Sequence, residues 1–102
     1  MTVREIQDFV ASIDPLARHH FCTEEGDFTR WEEIELLPYM GNDEHIEAWR
    51  FQIDRFTRSE DDPIAAALRA ALDSSRRITF GYRRTFEPDT GYIHHIFSCE
   101  GV

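Results

Sequence analysis

Between Glu44 and Leu72 the hydrophobic pattern changes period once, and the rest of the chain is read around that change. In the first half Trp49, Phe51 and Ile53 fall on one side of an extended chain, with Ala48, Arg50, Gln52 and Asp54 on the other. This period of two predicts a strand with one buried face. In the second half Ile64, Leu68 and Leu72 recur every four residues, with Ala67 and Ala71 beside them, which predicts an amphipathic helix. Asp61-Asp62-Pro63 lies between the two and supplies an N-cap carboxylate followed by proline at the first helical position. Glu60 and Asp61 suit the positive end of that helix.

The flanks carry similar signals. Thr2 and Glu5 have capping-box spacing ahead of Ile6, Phe9, Val10 and Ile13, so a first helix is expected to end at Asp14-Pro15. Leu16 to Cys22 fits either a helical extension or a short strand around His20-Phe21-Cys22, and Thr23 to Asp27 reads as a turn. Phe28 to Met40 has strand character. Phe28, Arg30, Glu32, Ile34 and Leu36 share one side, and neither side begins apolar, so its first half is expected to be exposed or at an edge. Pro38 suits the strand end, and Gly41-Asn42-Asp43 should turn it into an antiparallel hairpin. Asp73-Ser74-Ser75 stops the second helix. Ile78, Phe80, Tyr82, Arg84 and Phe86 then alternate with polar neighbours. Glu87 to Gly91 forms a turn, and Tyr92 to Glu100 is the last strand. The expected fold is α+β in the order α-β-β-α-β-β: one domain over residues 1–102, with a twisted antiparallel sheet of four to five strands and both helices on one face.

Composition narrows the function. The 102 residues are 41% hydrophobic, enough for a core, and carry 20 acidic against 11 basic residues for a net charge of −9. Every base is arginine. This balance argues against gripping a phosphate backbone. No stretch approaches the ~20 apolar residues of a membrane span, and the first residues read as amphipathic rather than as an export signal. Cys22 and Cys99 are expected to be reduced. The aromatic set of Trp31, Tyr39, Trp49, Phe51, Phe56, Phe80, Tyr82, Phe86, Tyr92 and Phe97 exceeds what two helices cover, so some rings should face another subunit.

Reaction chemistry is hard to find. There is no nucleophile elbow and no glycine-rich phosphate loop, and most paired carboxylates fall in turns. His19-His20 with Cys22 offers metal-ligand types, but adjacent strand residues face opposite ways. His94-His95 meets the same objection, with one ring expected in the core and the other at the surface. No catalytic residue, metal or cofactor is therefore expected. Arg76, Arg77, Arg83 and Arg84 form the basic concentration in an otherwise acidic chain. That asymmetry suits head-to-tail self-association, or else neutralises the acidic hairpin internally.

Ala48-Trp-Arg-Phe-Gln-Ile-Asp-Arg-Phe-Thr-Arg58, followed by Asp62-Pro-Ile-Ala-Ala-Ala-Leu-Arg-Ala-Ala-Leu72, resembles the strand-then-helix core of tail terminator (tail completion, head–tail joining) proteins of long-tailed phages and prophages. Glu87 to Ser98 is similar to their closing hairpin. The resemblance runs over Glu32 to Glu100, and Arg18 to Asp27 has no counterpart in it. It implies a structural virion-assembly protein without an active site. Such a protein self-associates as a ring, typically a hexamer, that caps the tail tube and docks it to the head connector. DNA passes through without specific binding, in the cytoplasm of a bacterial host during assembly and later in the virion. On that reading Arg50, Gln52, Asp54, Arg76, Arg77, Arg83 and Arg84 are the subunit-interface candidates, and Glu24, Glu25, Asp43 and Glu44 are candidates for an acidic lumen. The alternatives are a small ferredoxin-like dimeric enzyme or ligand-binding module, with a pocket lined by Trp49, Phe51, Tyr82 and a histidine such as His94, and an acidic adaptor that mimics nucleic acid.

Overall fold

The computed structural model describes residues 1–20, 26–38 and 47–102. Its elements run α1 (Val3–Ile13), β1 (Arg18–His19), β2 (Phe28–Leu37), β3 (Ala48–Thr57), α2 (Pro63–Ser74), β4 (Ile78–Glu87) and β5 (Tyr92–Gly101). The strands form one sheet in the order β1-β2-β3-β5-β4. All neighbours are antiparallel except β1, which runs parallel to β2 at Arg18–Arg30 and His19–Trp31. The fold is therefore α+β with a mixed sheet. After Pro15 a two-residue strand, Arg18–His19, stands in place of a helical extension, and the Phe21-Cys22 part of the expected strand lies outside the described residues. The expected turn at Gly41-Asn42-Asp43 lies outside the described residues.

Local signals set both helix starts. The Thr2 hydroxyl accepts from the Glu5 amide, and the Glu5 carboxylate accepts from the Thr2 amide, both at 3.1 Å. Asp62 caps α2 by accepting from the Ala65 amide, ahead of Pro63. Leu68 and Leu72 face inward as expected. The small residue beside them is Ala65, three positions before Leu68 on the same side of the helix, rather than Ala67, which is exposed.

The core lies on one face of the sheet. Ile6 and Val10 of α1 and Leu68 and Leu72 of α2 pack over Trp31, Phe51, Ile53, Phe97 and Cys99. Register explains the selection, since Trp31, Ile53 and Phe97 lie side by side across β2, β3 and β5. The start of β2 is not exposed, since Thr29 and Trp31 are almost fully buried under this layer, but it does lie by the sheet edge, covered by β1 only at Arg30 and Trp31. The face assignment of β2 also changes midway. A bulge between Glu33 and Glu35 inserts Ile34. Glu35 thus takes the side of Arg50, and Leu36 crosses to the side of Trp49.

Of the aromatic set, Phe56 and Tyr92 are covered by a cluster of rings, whereas Phe86 stays exposed. On the helix-free face Phe28 stacks on Phe56 at 4.7 Å, and Phe56 stacks on His94 at 4.0 Å. Tyr92 meets both Phe rings edge-on. Arg30 and Arg58 lie over Phe56 and Tyr92.

Leu68, fully buried between the helices and the sheet, is the sharpest test of this packing. Leu68→Ala should lower the unfolding free energy by about 2–5 kcal/mol in urea denaturation. A loss below 1 kcal/mol would contradict the core described here.

Candidate functional site

The two long edges of the sheet differ in charge. At one end β4 has β5 on one side and no described strand on the other. It carries Arg83 and Arg84, with Arg76 just before it, all exposed. Among the described residues none of these three arginines is engaged in an ion pair. At the other end β1 covers β2 only at Arg30 and Trp31. The rest of β2 is an edge among the described residues and bears Glu32, Glu33 and Glu35. Both edges also expose large apolar side chains: Ile34 and Leu36 on the acidic one, and Phe86 at 64% exposure on the basic one.

The remaining candidates divide. Arg50 sits on the helix-free face between Glu35 (2.7 Å) and Glu100 (3.3 Å), half-exposed. Arg77 is already committed, donating to Glu5 at 2.5 Å and to the Val102 carbonyl at 2.9 Å, which ties α1 to the C-terminal strand. Gln52 turns inward to donate to Asp54. Asp54 is withdrawn from solvent altogether, paired with His94 at 2.7 Å and Arg30 at 3.4 Å, so it is not a contact residue. Its cation across strands is Arg30. Burial pushes the Asp54 pKa up, but the hydrogen bonds from His94 and Gln52 outweigh it and leave the group below its ordinary 3.8. Glu24, Glu25, Asp43 and Glu44 lie outside the described residues.

One buried arginine was missed in the sequence. Arg55 projects from β3 onto the helix side and meets Asp62 side-on, Nε to Oδ2 at 2.9 Å and Nη2 to Oδ1 at 3.2 Å. Its Nη1 reaches the Thr29 hydroxyl at 3.3 Å and the Asp14 carboxylate at 3.8 Å. Asp14 caps the end of α1 and Asp62 the start of α2. Continued strand alternation puts Arg55 on the side of Ile53; a buried arginine at that place calls for carboxylates, and both were adjacent to prolines in the sequence. Burial raises the Asp62 pKa, whereas Arg55 and the Ala65 amide together bring it below 3.8.

Beside this network a cavity of about 380 Å³ opens at the α2 N-terminus, lined by Glu60, Asp61, Asp62, Arg69, Tyr82 and His95 among others. It contains Tyr82 as expected, but its histidine is His95, and neither Trp49 nor Phe51 lines it. His94 and His95 do face opposite sides, and His95 is the core member. His95 Nδ1 shares a 2.7 Å hydrogen bond with the Tyr82 hydroxyl, while its Nε2 has no described partner. Burial first, and then the Arg84 cation, hold the His95 pKa below 6.5.

The other histidine pair does not obey strand alternation. His20 adopts a left-handed φ of 68°, and its ring stacks on that of His19 at 3.7 Å. Both rings reach Glu33. The expectation that they face opposite ways is thus overturned by one backbone angle. Comparison with protein-family models and with curated proteins finds no match for this chain.

Two outcomes follow from the buried charges. Arg55→Met leaves two buried carboxylates without their cation and should cost about 3–5 kcal/mol of stability in denaturant titration. Acidification should destabilise the protein in two stages. The unfolded chain protonates His95 first, so stability falls as pH drops below 6.5, and this stage should shrink in His95→Gln. Below 3.8 the unfolded chain protonates Asp54 and Asp62 first, and their contribution, complete above that pH, is lost as pH falls through their lower folded values. Thermal denaturation across a pH series measures both.

Proposed function

We propose that this chain is a structural assembly protein of the phage tail terminator type, acting through head-to-tail self-association rather than catalysis. One observation carries the reading: an acidic edge and a basic edge, both bearing exposed apolar side chains, stand at opposite ends of a single sheet. A heterologous contact that joins one edge to the other leaves a fresh edge on each new subunit, so it propagates until a ring closes. Edge strands present unpaired amides and carbonyls ready for that contact. Opposite charge sets the direction and disfavours pairing of like edges. In a tail, such a ring would cap the tube and receive the head connector, with DNA passing through the centre.

A small-ligand module is the second reading. The α2 cavity and the unpartnered His95 Nε2 favour it.

Light scattering after size-exclusion chromatography, with and without purified tail tubes, separates the two. Rings, formed alone or on the tube, are expected; a strict dimer indifferent to tubes would support the ligand module. Charge reversal tests the edges directly. Arg83→Glu with Arg84→Glu should abolish association, as should Glu32→Arg with Glu35→Arg, each with an unchanged circular dichroism spectrum. Mixing the two reversed variants should restore it, because each then meets an opposite edge. Association that survives both reversals would remove the edge-to-edge interface.

A further inference from the structure

We propose that His19, His20 and Glu33 form a binding site for a late first-row divalent cation such as Zn²⁺ or Cu²⁺. The site does not rest on the assembly reading. Three local features build it. The β1–β2 pairing places His19 beside Trp31, so His19 shares a side of the sheet with Trp31 and Glu33. The left-handed backbone at His20, held by its amide donating to the Trp31 carbonyl at 2.7 Å, swings the second imidazole to the same carboxylate. The bulge immediately after Glu33 breaks the ladder at the point where a strand would otherwise continue flat.

The ligand atoms are close to coordinating separations. His19 Nε2 lies 2.5 Å from Glu33 Oε2, and His20 Nε2 lies 3.3 Å from Oε1. One donor atom from each of the three residues lies within 4.8 Å of the other two. A tetrahedral ion with bonds of about 2.0–2.1 Å holds its ligand atoms about 3.3 Å apart. An ion entering between them replaces the His19–Glu33 hydrogen bond, whose 2.5 Å separation opens toward that spacing. The two imidazoles are borderline donors and select zinc and copper over magnesium and calcium, while the hard carboxylate is accepted by either group. Three protein ligands leave a further position to water, as in open zinc sites. His19 also stacks face to face on the Trp31 indole at 3.9 Å, which fixes its ring plane and places a fluorophore against the site.

That stacking supplies the readout. In a Trp49→Phe background Trp31 is the remaining indole, and Cu²⁺ bound at His19 should quench its emission saturably. Calorimetry with Zn²⁺ should show one ion per chain. His20→Ala and Glu33→Gln should each weaken both signals by about tenfold or more, while circular dichroism shows the fold retained. If either variant unfolds, the other alone suffices. Absence of saturable binding, or affinities unchanged in a folded Glu33→Gln or His20→Ala variant, overturns the site.

Discussion

The Arg55 guanidinium is the constraint on which the geometry of this protein depends. It is the point where strand β3, the end of α1 and the beginning of α2 converge, through Asp14 and Asp62. The hydrophobic contacts of Ile6, Val10, Leu68 and Leu72 favour burial of each helix but tolerate sliding along the sheet. A bidentate ion pair in a dry environment does not. Asp62 holds two roles with one carboxylate, accepting from Arg55 and from the Ala65 amide. The carboxylate that caps α2 locally is thus the same one that anchors the helix to β3. Local and tertiary order are coupled at this residue.

With the helices fixed on one side, the other side has to manage without a covering layer. It does so by packing its own side chains. Phe28, Phe56, Tyr92 and His94 stack into a small aromatic cluster, and Asp54 is sealed beneath Arg30, Gln52 and His94. Arg50 and its two glutamates cover the far end. A face that satisfies itself in this way makes a weak case for an interface. The unmatched groups collect instead at the sheet edges, where Arg83 and Arg84 oppose Glu32 and Ile34 across the width of the molecule. The charge asymmetry noticed along the sequence thus becomes an asymmetry in space.

Much of the scaffold was legible in advance. Alternation at Trp49, Phe51 and Ile53 identified the central strand and its buried face. Thr2, Glu5, Asp62 and Pro63 fixed both helix starts, because capping depends on neighbours within four residues. Periodicity also separated His94 from His95. These features share one cause: they follow from the repeat of a regular backbone, which sequence spacing reports directly.

What failed were the positions where the backbone leaves that repeat or where distant residues meet. The bulge at Ile34 reversed the faces of Glu35 and Leu36, and the left-handed angle at His20 brought two imidazoles to Glu33. Neither departure has a glycine or proline to announce it. Arg55 was invisible as a centre because its carboxylates lie in separate connections that only the packed helices bring together. The sequence by itself determined the two helices, the four long strands and the inward positions Phe51, Ile53, Leu68 and Leu72, since those follow from local period and capping. Only the tertiary structure decided which charges are buried, which edges stand open and which histidines converge, since those depend on strand register and on contacts between residues far apart in the chain.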